Sequence, residues 1–256
     1  MKLEQEIAKV WHKHQTKSEL PKFIHKRRYC FCENHQQKDV LILGINPVFG
    51  KGSQSVASKY KMKDVVNYIV KHNLHQHFFC RVQEMLQNPN ATNLLNQTAY
   101  ADLFYYRTKA RKRYLNKFLD HIDGIIFLED QLKITQQLIE NVIKPKVIIA
   151  GSWEVMLFLG LFGTTAYSCW LGYDLELVKY TKSGYRVYEI KGIANDATLS
   201  NEFAKHTNLI GTRVICYPDL SKDNPQLKER KLSTQEIYEE TNKALLDKVT
   251  RIIKGR

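Results

Sequence analysis

Long apolar runs are missing from this chain, and no uninterrupted stretch reaches the roughly 20 residues that a bilayer-spanning helix needs. No cleavable leader is expected either. The N-terminal stretch MKLEQEIAKVWHKHQ is charged and amphipathic, without the apolar centre of a signal peptide. The expectation is a soluble, cytoplasmic monomer with no membrane partner. Cysteine is scarce: the five are odd in number and scattered, and Cys30 and Cys32 lie too close together for the usual zinc hook. Buried or free thiols in a reducing compartment are expected. There is no Gly-x-x-x-x-Gly-Lys phosphate loop and no Gly-x-Gly-x-x-Gly fingerprint. Repeats, low-complexity tracts and linkers rich in Pro, Gly or Ser are absent too, so a single domain over 1–256 is expected, and the 43% apolar content suffices for its core.

Acidic residues are also in short supply. Twenty-six Asp and Glu face 39 Lys and Arg, a net charge of +13. Such an excess costs self-repulsion in a compact protein and attracts polyanions, nucleic acid first among them, although solubility alone is the plainer reading. The charge is clustered. KFIHKRRY (22–29) and RTKARKRY (107–114) interleave bases with aromatics, which suits phosphate contacts beside stacking contacts.

What remains is an alternation of strands and helices. EQEIAKVWHKH has apolar residues at helical spacing. KDVLILGI is a short, glycine-ended buried strand. SKYKMKDVVNYIVKH and HFFCRVQEMLQN are expected to be helices, and QTAYADLFYY a second strand. EDQLKITQQLIENVI is an amphipathic helix stopped before Pro145, KPKVIIAGS a third strand, and WEVMLFLGLF the helix after it. LELVKYTKSGYRVYEI carries a hairpin signal at Ser183-Gly184. GTRVICYPD is a last strand, before a closing helix in TQEIYEETNKALLDKVTRII. The pattern predicts an α/β fold of three layers, α/β/α, with a central, mostly parallel sheet. It includes an N-terminal helical extension and an inserted hairpin near 172–190. HNLHQH is expected to be a solvated turn, because its histidines do not share a helix face.

In such sheets ligands bind beyond the carboxyl ends of the strands. Asn46, the segment Asp102 to Arg107, Gly151-Ser152 and the segment from Tyr217 to Ser221 are all expected there. For Asn46 the plain alternative is a turn residue that satisfies its own backbone, since Asn before Pro is a common turn.

These segments, in this order, resemble the uracil-DNA glycosylase superfamily. LILGINPVFG is similar to the first motif of its Gly-Ile-Asn-Pro branches, the mismatch-specific and single-strand-selective glycosylases. YADLFYYRT stands where the family has its base-reading strand, IKPKVIIAGS resembles its Pro-Lys strand, and VICYPDLSKD stands in the position of its second motif. The resemblance covers roughly Lys38 to Asn224. It implies a uracil-DNA glycosylase-like fold and a monofunctional enzyme that hydrolyses the N-glycosidic bond of uracil or another aberrant base in single- or double-stranded DNA. The base must first be flipped from the stack. The bond then breaks through an oxocarbenium-like sugar, which needs a positioned water more than a deprotonated one.

By this resemblance Asn46 positions the water and Tyr217 assists the leaving base. Phe49, Asp102 and Tyr105 bind the base, Tyr105 and Tyr106 being read as alternating faces of a strand. Gly50, Lys51, Arg107, Arg111, Arg113, Ser221 and Lys222 contact DNA, and Leu220 is the wedge that fills the vacated stack. No cofactor and no metal is expected. Some relatives hold an iron–sulphur cluster on four cysteines, and the spacing of Cys30, Cys32, Cys80, Cys169 and Cys216 does not match. The pattern departs from the family in four places. Val48 replaces a glycine, and Asp102 stands for the base-reading asparagine. Tyr217 replaces a histidine or asparagine, and Asp219 a serine. An ionised Asp102 only accepts hydrogen bonds, so it suits an amino-bearing or alkylated base, or else it pairs with Arg107 or another cation. The alternative function is a non-catalytic nucleic-acid-binding protein that retains a glycosylase-like fold.

Overall fold

The computed structural model describes residues 2–33, 36–47, 59–61, 94–108, 111–161, 171–194, 206–217, 236, 237 and 240, with backbone alone at 95 and 111–114. In chain order the helices are α1 (Leu3–Lys13), α2 (Phe23–Arg27), α3 (Arg111–Leu119), α4 (Ile122–Gln137) and α5 (Trp153–Leu159). The strands are β1 (Phe31–Cys32), β2 (Val40–Gly44), β3 (Lys59–Tyr60), β4 (Thr98–Asp102), β5 (Val147–Ala150), β6 (Tyr173–Tyr180), β7 (Arg186–Ile193) and β8 (Arg213–Cys216).

Six strands form one mixed sheet in the order β4-β2-β5-β8-β7-β6. The first four are mutually parallel, and the β6–β7 hairpin joins through an antiparallel β7–β8 pair. The strands β2 and β5 are fully buried and read as continuous aliphatic runs, as expected of strands covered on both faces. Alternate residues feed two cores. Leu41, Leu43, Ile148 and Val214 face one that also takes Leu3 and Ile7 of α1, Leu128 and Leu132 of α4, and Met156 of α5. Val40, Ile42, Ile149 and Ile215 face the other, with Leu94, Tyr185 and Ile237. The N-terminal helix is thus part of the main core rather than an appendage to it.

The hairpin turns where the sequence indicates. Gly184 takes φ 85° and its N–H donates to the Thr181 carbonyl at 2.9 Å. Instead of standing apart as an insertion, the hairpin completes the sheet.

Two expectations of secondary structure need correction. The second strand ends at Asp102 and does not run on to Tyr106. Lys59-Tyr60, expected to open a helix, instead forms a strand parallel to Phe31-Cys32. The helix before Pro145 stops as expected, its last turn being π-helical over Leu138–Ile143 and closed by left-handed Lys144 (φ 50°). The histidine-rich segment 72–77 lies outside the described residues. No helix among the described residues is long and apolar enough to cross a membrane.

Candidate active site

From β2 the chain crosses to β4 on one side, then returns to β5 on the other. The carboxyl ends of β2 and β5 therefore flank the topological switch point, where open α/β sheets take their ligands. Ile45, Asn46 and Pro47 follow β2, and Gly151 and Ser152 follow β5.

Asn46 is 2% exposed. Its Nδ2 donates to the Pro47 carbonyl at 3.0 Å and to the Tyr106 carbonyl at 3.3 Å. Two carbonyl oxygens fix which end of the amide is nitrogen, because a side-chain oxygen there would face both. The Oδ1 that remains is buried and has no hydrogen-bond partner among the described residues. This arrangement differs from a simple asparagine–proline turn: one bond is local, but the other reaches a residue 60 positions away.

The segment that leads into Tyr106 is itself held by a lattice of hydrogen bonds. Leu103 and Phe104 N–H groups continue the ladder onto Gly44 and Ile45 carbonyls, and Cys30 N–H donates to the Tyr105 carbonyl at 2.9 Å. From α4, Gln131 Oε1 accepts the Tyr105 N–H at 2.8 Å, and Thr135 Oγ1 lies 2.9 Å from the Leu103 carbonyl. Gln131 and Thr135 are fully buried. The sequence reading did not single them out; the available signal was two polar residues at i and i+4, in line with Phe127 on the apolar stripe of α4.

Asp102 ends β4 opposite Gly44 and is 3% exposed. The Tyr100 hydroxyl donates to its Oδ1 at 2.7 Å. A Cβ on Gly44 would lie 2.4 Å from that same oxygen, so the glycine that closes β2 makes room for the carboxylate. The site therefore has an acceptor carboxylate one strand away from the Asn46 amide.

The remaining candidates divide. Tyr105 is core: its hydroxyl lies 2.9 Å from Thr135 Oγ1 beneath α4, and burial pushes its pKa up. Tyr106 lies in the same core, stacked on Phe104 at 5.6 Å, so the two tyrosines do not take opposite faces of a strand. Arg107 is 7% exposed and acts on buried Cys30, where it opposes the burial that raises the thiol pKa to about 11. Its side chain is thus a buried neighbour of the site rather than part of an open phosphate-binding surface. Tyr217 directly follows β8, its N–H on the Ala150 carbonyl at 3.0 Å and its ring edge-on to Tyr185 at 4.6 Å. The Ser152 hydroxyl caps α5, accepting the Val155 N–H at 3.3 Å. Arg111 and Arg113 begin α3, and their side chains lie outside the described residues, as do Val48, Phe49, Gly50, Lys51, Asp219, Leu220, Ser221 and Lys222.

The two basic segments meet beside Asn46. Arg27 Nη1 donates to the Arg107 carbonyl at 3.5 Å, Tyr29 bridges to Tyr106, and the Thr108 N–H reaches the Pro47 carbonyl at 3.4 Å. Arg27 also lies 4.9 Å over the Phe23 ring, which makes it a structural cation, while Lys26 and Arg28 are exposed. Among the described residues no His, Cys, Asp and Glu group could hold a metal ion. No family model matches the chain, and no curated protein matches it.

Proposed function

We propose that the protein is a monofunctional DNA glycosylase that hydrolyses the N-glycosidic bond of uracil or another aberrant base. The observation that carries this reading is the Asn46 side chain: its nitrogen pinned by two carbonyls, its buried Oδ1 without a partner among the described residues. A water hydrogen-bonded to that oxygen presents its own oxygen to the sugar. The C1′–N bond breaks as the C1′–O bond forms, and the departing base anion takes up a proton. No strong base is required, because the sugar is strongly cationic in the transition state. Exposed Lys26 and Arg28 in the first basic segment and the net charge of +13 support DNA as the partner.

The test uses end-labelled oligonucleotides, each with one lesion, incubated with the protein and then treated with alkali. Strand scission at one lesion supports the reading. Salt-sensitive gel shifts with no scission across the panel support the second reading, a non-catalytic DNA-binding protein. The packing of Tyr217 against Tyr185, in the position of the family's catalytic histidine, favours that second reading.

Two predictions follow from the basic surface and the buried carboxylate. Neutralising exposed Lys26 and Arg28 to glutamine lowers the slope of log affinity against log salt by about 1.8 on duplex DNA if both contact phosphate. An unchanged slope removes them from the interface. Asp102→Asn converts an acceptor-only group into a mixed donor and acceptor. It shifts the ratio of single-turnover excision rates toward uracil over amino-bearing or alkylated bases, because a mismatched buried edge is strongly disfavoured. An unchanged ratio means that Asp102, with its Tyr100 bond, is structural.

A further inference from the structure

Two of the large apolar side chains most exposed among the described residues are aromatic: Trp153 at 38% and Tyr180 at 56%. The fold brings both to the same edge of the sheet as Asn46. Trp153 opens α5, just past the carboxyl end of β5, and Tyr180 is the last residue of β6. Between them lies Arg186, the first residue of β7, paired with Tyr180 on one side and with Cys216 at the end of β8 on the other. Its guanidinium sits 5.5 Å from the Trp153 ring centroid. Hydrogen bonding to Tyr188, then to Tyr180, pushes its pKa up, so the groups acting on it are hydroxyls rather than carboxylates. The nearby acids of the C-terminal segment are engaged elsewhere, Glu236 by Ser183 and Glu240 by Lys179. With strands about 4.8 Å apart, β7 is three strand spacings, roughly 14 Å, from β2 along that edge.

We propose that Trp153, Arg186 and Tyr180 form a stacking platform for unpaired bases of single-stranded DNA running along the sheet edge toward Asn46. An exposed indole and phenol offer π faces that every base can stack on, and a cation between them can meet the backbone phosphate. The platform extends the reading of the chain as a DNA-acting protein and rests on it, but it is read out by binding instead of excision.

The experiment measures the affinity of the full chain for a fluorescein-labelled oligo(dT) and for an abasic backbone oligomer of equal length. Trp153→Ala weakens oligo(dT) binding about tenfold and leaves the abasic oligomer unchanged, while Trp153→Phe restores binding. Tyr180→Ala, at a still more exposed position, acts in the same direction and guards against a folding defect in the first variant. Arg186→Gln weakens both oligomers and lowers the salt slope by about 0.7. The proposal is overturned if the wild type does not bind oligo(dT), if both alanine variants bind it like wild type, if the two oligomers weaken equally in Trp153→Ala, or if Arg186→Gln changes neither. The lesion panel on the same samples separates the two readings. A Trp153 effect without scission removes the catalytic reading alone, and scission without a Trp153 effect removes the platform alone.

Discussion

Replacing Asn46 by alanine lowers the single-turnover excision rate on the best substrate by about 10²-fold or more, the usual cost of losing one catalytic positioning group. Affinity for DNA changes little, because the amide is buried and does not meet the phosphate backbone. Some stability is lost as well, about 1–2 kcal/mol, since the Pro47 and Tyr106 carbonyls lose their shared donor. A thermal melt run beside the kinetics separates the two effects. Asn46→Asp makes the sharper test. A carboxylate keeps the acceptor but has no N–H, so it faces two carbonyl oxygens and turns away from its present pose. It is therefore expected to be impaired too, although it is the stronger base. Full activity in either variant would sink the assignment of the water-positioning role.

The second large effect concerns Glu140, which is fully buried in the π-helical turn after α4. Its Oε1 accepts from the Tyr173 hydroxyl at 3.0 Å and from the Thr207 hydroxyl, and its Oε2 from the Asn208 N–H at 2.8 Å. One carboxylate thus ties the start of β6 and the approach to β8 onto the helix. Alanine leaves three donors without an acceptor, at about 1 kcal/mol or more each. For a chain of this size, a loss of about 3 kcal/mol lowers Tm by roughly 6–12 °C. Glu140→Gln retains one acceptor and turns an N–H₂ toward a remaining donor, so its loss falls between. A Tm for Glu140→Ala within a degree or two of wild type would show that the clasp is dispensable. Excision should follow stability here, with no change in base preference.

The parts of the fold that sequence made legible were those with local causes. The stripe Leu3, Ile7 and Val10 spells α1, the run Val40 to Gly44 spells a buried strand, and Ser183-Gly184 marks the turn of the hairpin. The strand pairing of Lys59-Tyr60 with Phe31-Cys32 has no local cause, and a helix was the natural reading of that stretch. The end of β4 was illegible for a related reason. Leu103 to Tyr106 are apolar and aromatic enough to continue a strand, but Gln131 and Thr135 draw their backbone onto α4. That same grip moved Tyr105 from an expected pocket wall into the core. At the candidate site, the sequence places Asn46 just past the end of β2, but the orientation of its amide depends on a carbonyl 60 residues away. Arg107 was read by its charge as a surface contact, and its burial beside Cys30 comes from tertiary packing alone.

The docking of α1 has a consequence for how the chain is made. Its partner is α4: His14 Nε2 lies 2.8 Å from Asp130 Oδ2, 116 residues further on, and Lys13 Nζ reaches the same oxygen. Burial alone would raise the Asp130 pKa, but those two donors lower it, which ties the helices together by charge as well as by contact. During synthesis at about 5–20 residues per second, the gap corresponds to roughly 6–23 s in which the stripe Leu3, Ile7 and Val10 lacks its α4 partner. For that interval the nascent chain carries an apolar stripe that is only partly covered, and a segment of 11 residues is too short to hold a helix firmly without its partner.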